Sequence, residues 1–535
     1  MTRPDFEVAI IGAGPGGIAA AHLLQRRGIE DFVIVERGDD FGGTWRDNHY
    51  PGLAVDIPSI WYQLSFNPNA EWSRLFAPGP ELYRYFQDTA SKLGLYDQLQ
   101  ANSEVIRQQW DDSAGVWRLT IRGRPDITAR FVISSVGGYV NAKANIDIDG
   151  VDEFEGTVLR PNAWDDEYDA RGKRIAVIGT GSSGVQIAAA LSGQAKILDV
   201  YQRTPGWVLP KIDFEFSPLA RRLLRLPGSI AAINLLGRLS MDAFMVVPIV
   251  HLLPRLPAKV LARVLPLYDK WSRLLYRVLL RATVDDPAYR RALVPRIGIL
   301  AKRPVISSAF FKALNSSNTA LITTPIERIT STGVRTTDGV EHEADLIVAA
   351  TGYELWTDPE TYRRGTVLGA NGFDLAEYYR AHGMRSYGGT AHPRLPNRWE
   401  IVGPTGYVGF AWMDYDETIA EHAVRIIDET RRRGAQVAEV SQDAFNRWND
   451  QMQRRGKAIQ VYIVDCNRGQ NSYFVNSQQE VVYYRPQTIT ASRRFARRSP
   501  LADYEFTQRT VRIAPVPVPK EQPAWPTTTP RWPDA

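Results

Sequence analysis

Residues 6–17 read FEVAIIGAGPGG (Phe6 to Gly17), and residues 173–184 repeat the plan as KRIAVIGTGSSG (Lys173 to Gly184). In each, a short apolar run rich in branched residues stops at a glycine cluster. A helix-forming segment follows, Ile18 to Gln25 in the first copy and Val185 to Leu191 in the second. Uninterrupted apolar runs of this length read as parallel strands buried on both faces. Further strands follow at Phe32 to Glu36 and Ile197 to Tyr201, so each copy is a strand–helix–strand unit with its glycines in the first turn.

Gly12, Gly14 and Gly17 occupy the three glycine positions of G-x-G-x-x-G, and Gly179, Gly181 and Gly184 occupy them again, with Ser182 opening the second helix. The first glycine permits the tight turn, the second lets backbone approach a pyrophosphate, and the third lets helix pack on strand. The pyrophosphate then sits at a positive helix end. The strand-ending residue twenty-four positions on is Glu36 in the first copy and Arg203 in the second. A carboxylate there accepts hydrogen bonds from ribose hydroxyls and repels a ribose phosphate, whereas a guanidinium grips a 2′-phosphate through a planar fork. That contrast assigns FAD to the first site and NADPH to the second.

The expected fold class is α/β, with two Rossmann-like dinucleotide-binding domains and a helical insertion. A further buried strand, Asp345 to Gly352, ends in Thr351-Gly352, and Phe131 to Gly137 is a looser version; such segments return the chain between the two domains. The expected division is 1–145 and 346–514 for the FAD domain and substrate pocket, 146–215 and 291–345 for the NADPH domain, 216–290 for the insertion, and 515–535 for a proline-rich tail. The insertion is rich in Leu, Arg, Ala and Pro and reads as several amphipathic helices. Its longest uncharged run, Ala243 to Pro254, is too short to cross a bilayer, so no transmembrane segment is expected. It reads as a packed helical layer, as a basic helix face resting on a membrane, or as the lining of a greasy substrate entrance.

The net charge of +5 is spread without a dominant basic stripe, which argues against nucleic acid as a partner. The single cysteine, Cys466, excludes dithiol chemistry and suits a cytoplasmic setting, with membrane association left open. Seven scattered histidines lack metal-ligand spacing, so no metal site is expected.

The chain resembles the class B flavoprotein monooxygenases, and most closely the type I Baeyer–Villiger monooxygenases. The residues that carry the likeness are Gly42-Gly43-Thr44-Trp45, Tyr50-Pro51-Gly52, Asp56, Tyr201-Gln202-Arg203-Thr204-Pro205, Lys302-Arg303-Pro304 and Ala350-Thr351-Gly352, in consistent order from about Asp5 to Pro404. The resemblance implies that NADPH reduces the flavin, that the reduced flavin forms a peroxyflavin with molecular oxygen, and that one oxygen is inserted beside a ketone carbonyl to give an ester or lactone. It implies that Arg303 stabilises the anionic peroxide and developing oxyanion, that Asp56 orients Arg303, that Lys302 shares the 2′-phosphate with Arg203, and that Thr44, Trp45, Thr204, Thr351 and Gly352 line the cofactors. Plainer readings stand beside these. Lys302 and Arg303 also read as solvated charges, Asp56 as a turn or helix-cap residue and Trp45 as core packing beside the flavin.

One position departs from the family pattern F-x-G-x-x-x-H-x-x-x-W. Phe154, Gly156, Trp164 and Asp165 match, but Arg160 replaces the histidine. An arginine cannot switch charge near neutral pH, so only a role as a linker anchor remains to it. S- or N-oxygenation and an NADPH oxidase without oxygenation stay open as alternatives. Trp61, Tyr62, Trp72 and Phe76, with the leucine-rich insertion, suggest a bulky apolar substrate. Neither the substrate's identity nor the oligomeric state is readable.

Overall fold

The structure is a computed structural model and describes residues 3–508 apart from 140, 144, 145, 147, 408–410 and 471. The tail expected at 515–535 lies outside the described residues. Two parallel-cored sheets organise the chain. In the first, strand Phe6–Ile11 lies between Phe32–Val35 and Ile127–Ser134, parallel to both. The hairpin strands Val105–Asp111 and Val116–Ile121 extend it antiparallel from Ile127–Ser134. Strand Arg398–Glu400, from far along the chain, also joins it in parallel beside Ile127–Ser134. The first sheet is therefore assembled from segments far apart in the chain. Helix Trp412–Arg432 closes it by packing on helix Pro15–Arg26.

The second sheet is parallel throughout, in the order Thr319–Ile322, Ile197–Tyr201, Arg174–Ile178, Leu346–Ala349, Thr157–Leu159. This moves one boundary. The expected division assigns Leu346–Ala349 to the returning FAD segment, but this strand pairs with Arg174–Ile178 and Thr157–Leu159 in the second sheet. A fully apolar strand cannot be assigned to one of two parallel sheets from its own sequence, because both offer the same buried environment.

The two glycine turns have matching geometry. Gly12 and Gly179 sit at φ +104° and +111°, and a β-carbon on either would lie 2.5 Å from the carbonyl oxygen of Ser135 or Ala350, on the neighbouring strand's exit. A β-carbon on Gly17 or Gly184 would fall 2.1 or 2.0 Å from the carbonyl oxygen of Gly12 or Gly179. Helix and strand approach until only hydrogen fits between them.

The insertion comprises helix Pro218–Leu224, a continuous helical stretch from Ser229 to Arg255, and the long helix Ala258–Thr283. Around Pro248, which lacks a donor and clashes with the preceding turn, the middle stretch widens into π-type turns at Asp242–Val246 and Pro248–Leu252. Its length corrects the sequence expectation. The apolar helix runs 27 residues, long enough by length and composition to cross a bilayer, and only 11% of its apolar part is buried. Arg238 and Asp242 interrupt the uncharged run in sequence but turn inward, to Asp414 and to the backbone N–H of Ile489.

Gly17→Ala should destabilise the chain by at least about 1–3 kcal/mol, because an overpacked helix–strand contact has nowhere to relax. Thermal unfolding and flavin absorbance after gel filtration check this. A variant that keeps its flavin and its Tm overturns the packing account.

Candidate active site

Glu36, buried at the end of its strand, accepts hydrogen bonds from Ala13 N (2.8 Å) and Gly38 N (2.7 Å) and pairs with Arg46 (3.1 Å). These bonds hold the carboxylate against the glycine turn while leaving acceptor capacity on an anion with about four lone-pair directions. Gly43, at φ +54°, approaches so closely that a β-carbon on it would lie 2.9 Å from Gly14 Cα. Thr44 and Trp45 open the short helix that follows, Thr44–Asp47. Thr44 Oγ1 and its carbonyl both accept from the Asn48 amide. Asn48 Oδ1 in turn accepts from the Tyr353 hydroxyl, next to Gly352. Trp45 is buried and its Nε1 donates to the Tyr62 hydroxyl at 3.2 Å, so its core role and its place beside the first glycine turn are both real.

The next segment crosses to the other domain. Tyr50 donates to Gln186 Oε1 at 2.9 Å, Gln186 Nε2 donates to the Ala54 carbonyl at 2.9 Å, and a β-carbon on Gly52 would meet the Gln186 carbonyl at 2.8 Å. Gln186 lies on helix Ser182–Leu191, which the second glycine turn starts. The Tyr50-Pro51-Gly52 stretch thus docks one nucleotide domain on the other and delivers Asp56 to the seam. Arg303 comes to the same place from the NADPH domain, and its Nη2 donates to Asp56 Oδ1 at 2.5 Å across 247 residues of sequence.

Aromatic side chains lie near that ion pair, Tyr407, Tyr473 and Tyr483 close enough to act on the charge of Arg303. Tyr407 packs at a tilt against Trp412 and Tyr483, with centroids 5.3 and 5.0 Å apart, and Tyr139 sits 6.1 Å from Trp412. Tyr473, Tyr483 and Tyr484 complete the cage. Burial raises the pKa of each phenol; that of Tyr407 reaches about 12, with Arg303 opposing the shift. Burial alone would lower the pKa of Arg303, but Asp56 and the tyrosines outweigh it and hold the guanidinium charged. Sequence reading missed these tyrosines. The Tyr483-Tyr484 doublet was visible, but nothing local ties it to residue 303.

The second site is built from unpartnered cations. Arg203 is exposed just past strand Ile197–Tyr201, next to the equally exposed Thr204. Lys302 lies close to it. Burial lowers its pKa, and the positive charge of Arg203 adds to the fall. Among the described residues neither forms a salt bridge to an acid. A β-carbon on Gly181 would meet nothing within 4 Å, so the space in front of Ser182 and the helix N-terminus is open. Open space, helix end and two neighbouring cations suit a phosphorylated ribose and a pyrophosphate.

Arg160 follows the edge strand Thr157–Leu159 and donates to the Lys143 carbonyl at 3.1 Å. It thereby ties the edge of the second sheet to the segment that precedes it in the chain. Trp72 is fully buried against Tyr85, which takes it out of any substrate contact.

Fold and site define a protein with two separate dinucleotide sites and an ion pair with aromatic neighbours where the two domains meet. The NAD(P)-binding Rossmann-like domain family matches residues 10–78. The chain is 33% identical to a Baeyer–Villiger monooxygenase of Streptomyces coelicolor, over 94% of this chain and 93% of that one. It is also 33% identical to a Baeyer–Villiger monooxygenase of Pseudomonas aeruginosa, over 84% and 82%. Among solved structures, an oxidised steroid monooxygenase bound to NADP superposes with a TM-score of 0.81 at 25% identity, covering 94% of this chain and 99% of that chain. The chain belongs to the Baeyer–Villiger monooxygenase family.

Proposed function

We propose that this member of the family holds FAD in the first domain and NADPH in the second, and uses molecular oxygen to insert one oxygen atom beside the carbonyl of a bulky apolar ketone, giving an ester or lactone. The observation that carries the reading is Arg303, fixed by Asp56 inside the tyrosine cage at the seam of the two nucleotide domains. The residues present fit both cofactors: Glu36 keeps acceptors free at the first turn, and Arg203 with Lys302 awaits a 2′-phosphate at the second.

When bound, the flavin supplies the redox chemistry, taking a hydride from NADPH and activating oxygen. The chain's own groups do the rest. Arg203 and Lys302 select NADPH over NADH by charge. Arg303 presents a permanently charged fork to the oxyanion that develops at the substrate carbonyl, in a setting where a fixed dipole or charge acts more strongly than in water. Asp56 is a positioning residue that holds that fork in one orientation. The phenols of Tyr407, Tyr473, Tyr483 and Tyr484, of which Tyr483 is buried and the others half-buried, stay neutral and give an aromatic wall to the substrate. Trp61 extends the wall toward the insertion, where it packs with Met241, Ala411 and Ile489.

Arg303→Ala should lower product formation by about 100-fold or more, the usual loss for one oxyanion partner. Flavin reduction by NADPH should persist, with the electrons appearing as hydrogen peroxide. Stopped-flow reduction and peroxide release alongside ester yield check this, and retained ester yield overturns the role.

Arg203→Ala should lower kcat/KM for NADPH by about tenfold to a hundredfold and leave NADH nearly unchanged, because one charged hydrogen bond is lost. Lys302 adds a pH signature. Its lowered pKa means the ammonium loses its proton below the ordinary lysine value of about 10.4, so kcat/KM for NADPH should decline with rising pH before that value is reached. The same profile with NADH should lack that limb.

Bulky ketones should give higher kcat/KM than small cyclic ones. Comparing a long-chain or polycyclic ketone with cyclohexanone decides it, and a clear preference for the small ring removes the bulky-substrate assignment.

A further inference from the structure

Among the described residues 26 large hydrophobic side chains are exposed, and 18 of them lie between Leu219 and Val278 in the helical insertion. On helix Ala258–Thr283 they form one stripe: Val260, Val264, Leu267, Trp271, Leu274 and Val278, spaced alternately four and three apart. Beside it runs a second stripe of exposed cations, Lys259, Arg263, Lys270, Arg277 and Arg281, and none of these forms a salt bridge among the described residues. On the preceding helical stretch Leu235, Leu236 and Leu239 are exposed as well, and Phe244 is the most exposed of these side chains at 86%.

The charge pattern is one-sided. Residues 218–283 contain eleven Lys and Arg and two acids, Asp242 and Asp269. Both acids are buried inward. Asp242 accepts from Ile489 N and Thr490, and Asp269 accepts from the Tyr462 hydroxyl and Ile299 N. The outward face is therefore apolar and purely cationic.

We propose that the outward face of residues 218–283 binds the surface of an anionic phospholipid bilayer and lies in its headgroup plane without crossing it. An amphipathic helix with Lys and Arg flanking an apolar stripe, and Trp and Phe on that stripe, is built to sit at such an interface. Charge complementarity selects the occupant. The stripe carries no exposed acid to pair with cations on a second copy, whereas anionic headgroups match every cation at once. The same polar anchors decide against crossing. Carrying Ser229–Arg255 through hydrocarbon would tear Arg238 from Asp414 and Asp242 from the Ile489 helix end, leaving both charges unpaired in a medium without water. The surface is independent of which reaction the site performs.

Flotation of the FAD-loaded protein with vesicles tests this directly, comparing phosphatidylcholine alone with phosphatidylcholine plus phosphatidylglycerol. Wild type should float with the anionic vesicles, bind less in high salt, and be released by alkaline carbonate. Replacing Arg263, Lys270 and Arg277 together by glutamine should weaken binding about a hundredfold. Phe244→Ser with Trp271→Ser should weaken it at least about tenfold. Both variants should keep their flavin and their turnover of a water-soluble ketone, because none of the five residues touches the site. Absence of flotation, or flotation unchanged in both variants, overturns the proposal. So does resistance to carbonate, the mark of a spanning helix, or a concentration-dependent dimer in light scattering that the Phe244/Trp271 variant abolishes.

Discussion

Helix Pro15–Arg26 and helix Ser182–Leu191 each rise from a turn in which a β-carbon would collide with backbone at 2.1 Å or less. That contact sets where each helix N-terminus points, and hence where a pyrophosphate is received. It also sets the exit of the neighbouring strand, Ser135 in one domain and Ala350 in the other, because the first glycine of each turn presses on that carbonyl. The segments leaving those strands carry Tyr139 and Tyr353 toward the seam, where their rings lie 6.2 Å apart. The seam geometry thus descends from two close backbone approaches.

Across the seam, hydrogen bonds do the aligning. Gln186 receives the Tyr50 hydroxyl and returns a hydrogen bond to the Ala54 carbonyl, so a helix of one domain grips the loop of the other two residues before Asp56. The charged pair Asp56–Arg303 then bridges the domains inside an aromatic shell. The contact is short although Arg303 stays 39% exposed, so it orients the two side chains toward each other rather than sealing them from water. The arrangement holds a permanently charged guanidinium in one orientation where the two domains meet, which is what a developing oxyanion requires.

The insertion obeys a different rule from the two domains it joins. Elsewhere the apolar faces are covered, by sheets, by helix Trp412–Arg432 or by the tyrosine cage. Here Arg238, Asp242 and Asp269 turn inward to make specific bonds, while a row of large apolar side chains faces outward beside exposed cations. Its inner edge reaches the site through Met241, which shares a small apolar cluster with Ile57 and Trp61, immediately after Asp56.

Local sequence by itself determined the two strand–turn–helix units, the discontinuity of the first domain, and the opposite charges of Glu36 and Arg203. These are properties of spacing along one short segment, where a glycine's missing β-carbon or a strand's terminal charge has one physical meaning. Resemblance to a family added Asp56, Lys302 and Arg303 as residues of interest without showing that they meet. Only the tertiary structure decided that Lys302 neighbours Arg203, that Arg303 reaches Asp56, and that tyrosines from 139 to 484 close around the pair. The membership of Leu346–Ala349 and the inward turn of Arg238 and Asp242 were likewise settled there. Such facts depend on which distant segments share space, and neither periodicity nor charge pattern within one segment encodes that.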